Sequence, residues 1–321
     1  MTLMTKEQLA GSVYFVVGRG TEGGNASYRI SVAGISESSW QGSVRPDFHN
    51  VAVNSGYTFG AMQLDLGARG LLKVGSTTSI AKVSEQNYVD AIIEQSKAYA
   101  TKNGSPFPED ISNLRAALLT HGNGGVLPNG SVRSKIEFID TETRDAINAW
   151  ASSSEGRNWI HQNVDMPIVR DAASKAYDVV QKYGGSWTDD AKNIAALELA
   201  KVYNQTGNLR GAIAALEALP SSTFDDLKAA VAGNRDATKA LEIGHSFAKA
   251  NDSDLGTWLE SAQRKVLDPH FDPAKFDHDA DLKLALQLTK TKAADVTIND
   301  GQLSIKVGSL NRPGYRGGPL G

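Results

Sequence analysis

Ser55-Gly56-Tyr57-Thr58-Phe59-Gly60-Ala61-Met62-Gln63-Leu64-Asp65-Leu66-Gly67 is the run on which the reading of this chain turns. Tyr57, Thr58 and Phe59 favour extended backbone, and Gly56, Gly60 and Gly67 punctuate them. A short hairpin or strand with close backbone approaches is therefore expected. A Gly-x-x-Gln segment sets backbone N–H groups beside a carboxamide that donates and accepts at once. That suits a polar, ring-shaped ligand bearing hydroxyl and N-acetyl groups. Asp65 follows Gln63 by two, so on a strand the two side chains share a face.

Upstream, residues 6–19 are predicted helical, with Leu9, Val13, Val16 and Val17 on one apolar face and Gly18-Arg19-Gly20 as the stop. Thr21 to Asn25 is a turn. In 27–32, Tyr28, Ile30 and Val32 alternate with polar residues as in a half-buried strand. Downstream, helices are predicted over 84–101 (with Ser84 as N-cap), 106–119, 141–152, 166–183, 188–205, 208–219, 224–231, 236–249, 254–267 and 276–290. A hairpin over 296–307 turns at Asn299-Asp300-Gly301, and a Gly- and Pro-rich tail closes the chain. The fold class is mainly α (α+β), a helical body with a small β element near the N-terminus.

With 321 residues, the chain can form one large domain or two ordinary ones. Its formal net charge of −3 gives no case for a nucleic-acid partner. The absence of cysteine excludes disulfides, thiolate metal sites and cysteine nucleophiles. No pair of the six histidines has the spacing of a helical metal site, so neither a metal nor a cofactor is expected. Val13 to Val17 is too short for a signal-peptide core or a membrane span. The chain is thus expected to be made in the cytoplasm without a signal peptide and not to insert into a membrane.

Gly60-Ala61-Met62-Gln63-Leu64-Asp65 resembles the G-(L/F)-M-Q-(V/L) element of goose-type lysozymes and soluble lytic transglycosylases, and more loosely the G-x-x-Q element of phage lambda lysozymes. In those families it lines a peptidoglycan-binding cleft opposite a catalytic Glu. Two residues compete for that acid. Glu22, in Thr21-Glu22-Gly23-Gly24, resembles the Ser-Glu-Gly-Thr turn that ends the first helix of the lambda-type enzymes ahead of a strand. Glu37, in Ser36-Glu37-Ser38, is similar to the Glu-Ser pair of the goose-type and transglycosylase motif. Its spacing to Gln63 is longer than usual, and 27–35 alternates like a strand where the family has a helix. Glu22 is the preferred acid.

Asp65 matches an Asp of goose-type lysozymes and is the candidate second carboxylate. Asp47 is a further candidate on the preceding loop. Ser55, Tyr57 and Gln63 are the expected sugar-binding residues. Lys201-Val202-Tyr203-Asn204-Gln205-Thr206-Gly207 is similar to the A-Y-N-A-G element of transglycosylases, in which Tyr203 would face the acid.

The resemblance implies a lysozyme-like catalytic domain over 1–207 with an inserted helical segment. A helical region over 208–290 and a hairpin with extended tail over 291–321 would follow. It implies a muramidase cleaving the β-1,4 bond between N-acetylmuramic acid and N-acetylglucosamine. The alternatives are a lytic transglycosylase and a non-catalytic wall-binding or phage structural protein. Peptidoglycan is the implied partner, reached in the periplasm or at the wall, with a delivery machinery or an immunity protein beside it.

Overall fold

The computed structural model describes residues 2–23, 26–35, 51, 55–69, 88–122, 135–219, 223–231, 263–264, 266–267 and 271, and the strands at 296–299 and 302–305. In chain order these form α1 (Lys6–Val13) with a π-helical extension (Tyr14–Glu22), β1 (Ser31–Val32), β2 (Tyr57–Phe59), β3 (Leu64–Asp65), α2 (Leu66–Arg69), α3 (Tyr88–Lys102), α4 (Ile111–Leu118), α5 (Thr141–Ser152) and α6 (Ser154–Ile160). A second π-helical turn (His161–Asp165) leads into α7 (Met166–Tyr183), then come α8 (Asp189–Thr206), α9 (Arg210–Glu217), α10 (Phe224–Val231), β4 (Val296–Asn299) and β5 (Gln302–Ile305). The architecture is mainly helical with a small antiparallel sheet. No described helix is long and apolar enough to cross a membrane.

The described residues fall into two compact units, one joining those up to Gly23 with those from Asp165 onward, the other holding those from Ala26 to Val164. The boundary expected at residue 207 lies inside the first unit, where α10 packs on both α8 and α9. In that unit α1 starts with a capping box. The Thr5 hydroxyl accepts from Gln8 N, and the Gln8 carboxamide accepts from Thr5 N at 2.9 Å.

The expected stop at Gly18 does not occur. The helix continues through Gly18 and Gly20 in π turns and ends at Glu22, where Gly23 N donates to Gly18 O at 2.9 Å. Val16, Val17 and Arg19 are buried there, and the extension packs on α7 and α8. Tertiary packing thus outweighs the cost of about 1 kcal/mol per helical glycine.

The second unit is built on the order β1-β2-β3, with Ser31 opposite Thr58, Val32 opposite Tyr57, Thr58 opposite Asp65 and Phe59 opposite Leu64. The expected strand over 27–32 is only Ser31–Val32. Ile30 N donates to the Asn148 carboxamide at 2.8 Å, so a side chain of α5 takes the bond a longer strand would have made. Likewise α4 starts at Ile111 rather than at Pro106, because Asp110 caps it through Asn113 N at 2.9 Å. α3 packs on α4 and α5, and α2 lies on β2 and β3.

The centre of this core is Trp150 on α5. It is fully buried, stacked on Phe59 of β2 at 5.9 Å between ring centroids, and met edge-on by Trp159 at 5.5 Å. The predicted helices over 236–249 and 276–290, the tail over 311–321 and Ser84 lie outside the described residues. Of the 254–267 helix, residues 263–264 and 266–267 are described, and these are helical. Trp150→Ala should destabilise the protein by about 3–5 kcal/mol in urea unfolding. A cost under about 1 kcal/mol would mean that the sheet is not anchored through this ring.

Candidate functional site

Glu22 is the last residue of the π-helical extension. Its Oε1 accepts from Lys201 Nζ and from Asn204 Nδ2, the latter at 3.1 Å. Lys201 and Asn204 are three apart on α8 and so share a face of that helix. The Lys201 side chain is 1 % exposed and that of Glu22 is 18 % exposed. The ion pair is therefore closed at its cationic end and open at its anionic end. Neither bond uses Oε2, which accepts none from the described residues.

Tyr203, between the two donors in sequence, points elsewhere: its hydroxyl donates to Asp171 Oδ2 of α7 at 2.9 Å. The element expected to face the acid through Tyr203 thus meets Glu22 through its neighbours. α8 is held at both ends, by Thr188 capping Ala191 N at 3.2 Å and by Gly207, whose φ of 71° lets its N–H reach Tyr203 O at 2.8 Å.

One turn before Lys201, Glu198 is buried. Its Oε2 makes no hydrogen bond among the described residues. Burial pushes its carboxyl up to about 7, against the opposing pull of the Lys228 ammonium on α10. No motif marks this group, since a Glu inside a helix reads as a solvated residue until the bundle packs around it.

The hairpin of the second unit holds the other candidates. β2 and β3 are joined by a turn over Gly60–Gln63, with Gly60 at φ 81° and Gln63 at φ 52°. Gln63 therefore sits in the left-handed region of a turn and not on a strand. The alternation expected to place it on one face with Asp65 does not hold. Its Oε1 accepts from the hydroxyls of Thr58 at 3.0 Å and Ser31 at 3.3 Å, and its Nε2 donates to Gly60 O at 2.9 Å. The carboxamide thus ties the turn to two neighbouring strands, and one of its N–H groups makes no hydrogen bond among the described residues.

Tyr57 is fully buried. Its hydroxyl donates to Glu137 O and accepts from Ile139 N, both at 2.8 Å, so it fastens the hairpin to the chain before α5 and is not a surface sugar contact. Ser55 is also buried, its hydroxyl on Gly56 O at 3.4 Å and its carbonyl accepting from Gly122 N at 2.9 Å.

Asp65 Oδ2 accepts from Gly56 N at 3.1 Å and lies 3.2 Å from His121 Nε2, with both side chains partly exposed at 22 % and 28 %. His121 pairs across a single bridge with Gly56. A Cβ on Gly56 would lie 2.9 Å from Asp65 Oδ1, and one on Gly67 would lie 2.7 Å from His121 Cβ. Both glycines are therefore required by the close approach of residues 120–121. His121 was missed because it stands 56 residues from Asp65 with no motif around it. Glu37 and Asp47 lie outside the described residues. Among the described residues no three His, Asp or Glu side chains gather as a metal site.

Glu22→Gln leaves a buried ammonium with only neutral acceptors and should lower stability by about 1–3 kcal/mol. The Glu22→Gln/Lys201→Met double variant should return to within about 1 kcal/mol of the wild type, since replacing both partners removes the buried charge. Equal melting of wild type and Glu22→Gln would show the pair to be energetically idle.

For Glu198 the folded value lies above the unfolded 4.5. The stability it contributes is complete below 4.5 and is lost as pH rises through about 7. Glu198→Gln should therefore gain on the wild type across that window, by an amount approaching about 3 kcal/mol at pH 8. Parallel stability–pH curves would contradict this burial.

No family model, no curated protein and no solved structure matches this chain.

Proposed function

We propose that this chain is a peptidoglycan-degrading glycoside hydrolase, a muramidase that cleaves the β-1,4 bond between N-acetylmuramic acid and N-acetylglucosamine by general acid catalysis. The observation that carries the reading is the arrangement of Glu22. It ends a helix ahead of a three-stranded sheet with a Gly60-x-x-Gln63 hairpin, with one carboxylate oxygen gripped and the other unengaged among the described residues. This helix–Glu–sheet order is what the resemblance to lysozyme-like enzymes leads one to look for.

On this reading Glu22 gives its proton to the oxygen of the scissile bond. The bond from the anomeric carbon to that oxygen breaks, its electron pair staying on the oxygen, and water adds to the oxocarbenium-like carbon. The proton that the water loses passes to a general base, the role for which Asp65 is the candidate. With Oε1 accepting from Lys201 and Asn204, Oε2 is the oxygen left to carry the proton to the leaving group. The remaining N–H of Gln63 is the group of the hairpin offered to the sugar. The wall lies outside the cytoplasm, so the enzyme would act after release or secretion by a delivery machinery, and a producing cell would need an immunity protein.

One observation favours a second reading, a lytic transglycosylase. Asp65 is engaged by Gly56 N and His121, and a transglycosylase uses the substrate's own hydroxyl in place of a second carboxylate.

The test is clearing of purified sacculi, followed by mass spectrometry of the fragments. The wild type should clear walls and release reducing-end muropeptides. Glu22→Gln, assayed well below its melting temperature, should lose about 10²–10⁴-fold and Glu37→Gln should not. Asp65→Asn should lose activity in a hydrolase and keep it, with anhydro ends, in a transglycosylase. A folded wild type that binds walls without releasing fragments would make the protein a non-catalytic wall binder.

A further inference from the structure

We infer that Lys201 and Asn204 are positioning residues for the Glu22 carboxyl, an assignment that rests on the glycosidase reading. Both donate to Oε1 from one face of α8, Asn204 at 3.1 Å, and neither engages Oε2. A free Glu carboxyl turns about its last side-chain bond and presents either oxygen. Two donors on one oxygen stop that rotation and leave Oε2 as the atom that meets a leaving group. Holding a reacting group in one orientation is worth large factors in rate, and small displacements lose them.

The arrangement differs from an incidental surface contact. Exposed ion pairs contribute little and hold no fixed geometry. Here the lysine is 1 % exposed, and Glu22 is its one anionic partner among the described residues. Its ammonium is placed by the packing of α8 against α7 and the π-helical extension, so the grip on Glu22 is set by the helical core. Asn204 adds a neutral donor whose planar amide selects one direction of approach. The two differ in what they supply: Lys201 fixes Oε1 by charge and Asn204 by direction. Neither touches the sugar on this assignment, so their loss should appear in turnover and not in binding.

The experiment measures kcat and KM on soluble peptidoglycan fragments for the full chain and for Lys201→Met, Lys201→Arg and Asn204→Ala, each checked for folding by circular dichroism. Lys201→Met should lower kcat about 10²-fold with KM within about threefold, the pattern of lost orientation. Lys201→Arg, which keeps a cationic donor, should recover most of that loss. Asn204→Ala should lower kcat by about 3- to 10-fold, again at constant KM.

A folded Lys201→Met or Asn204→Ala with kcat within twofold of wild type, or a Lys201→Arg no better than Lys201→Met, overturns the assignment. Should Lys201→Met fail to fold, the Asn204→Ala kcat decides in the same way. If the wild type turns over fragments and the variants are unaffected, only the positioning roles fall. If the wild type shows no turnover at all, the glycosidase reading and this assignment fall together.

Discussion

A lysine ammonium inside a helical bundle needs a carboxylate, and in the first unit that carboxylate is Glu22. Taking an ammonium out of water costs several kcal/mol, repaid only by a charged partner with good hydrogen bonds. Lys201 is almost fully buried on α8, the helix on which α1, α7 and α10 all pack. The helix bearing Glu22 must therefore run on to residue 22, past two glycines that would ordinarily stop it. The π-helical turns of Tyr14–Glu22 do this while Arg19 and the valines before it stay buried. π turns inside helices recur at functional sites, where a widened backbone re-aims a side chain. Here the re-aimed side chain is the carboxylate proposed to act.

The second unit solves a different problem, that of making three very short strands into a stable sheet. Strands of two or three residues have few ladder bonds, so side chains supply the rest. Gln63 bonds to both neighbouring strands, Asp65 bonds to Gly56 N, and Tyr57 reaches the chain ahead of α5. The Phe59–Trp150 stack then joins this polar lattice to the helices. The residues that make the hairpin conspicuous in the sequence are thus largely engaged in building it. Among the described residues one N–H of Gln63 makes no hydrogen bond, and the Asp65–His121 pair is partly exposed.

Much of the helical framework was legible because its signals are local. α5, α7 and α10 run from Thr141, Met166 and Phe224 as expected, each with an acid, a Pro or a capping Thr or Asp near its start. The hairpin at 296–305 followed from Asn-Asp-Gly. What the sequence hid is set by packing. Gly18-Arg19-Gly20 reads as a stop until the packing of the extension on α7 and α8 overrides it, and Ser154–Ile160 is too short to announce itself beside α5. The motif around Tyr203 pointed to the right turn of the right helix. There Lys201 and Asn204 bond Glu22 while the Tyr203 hydroxyl donates to Asp171, because which side chains of that turn face Glu22 depends on how α8 is rotated. Glu198 and His121 were invisible for the same reason: their environments come from residues distant in sequence.

The central claim is that Oε2 of Glu22 meets the oxygen of a scissile glycosidic bond while Lys201 and Asn204 orient the same carboxyl. A crystal structure of the full chain with a bound N-acetylglucosamine oligomer tests this directly. The account predicts a glycosidic oxygen about 2.6–3.2 Å from Glu22 Oε2, with Asn204 still on Oε1. An oligomer bound with its glycosidic oxygens beyond reach of Glu22, or seated against Glu37 instead, would contradict it.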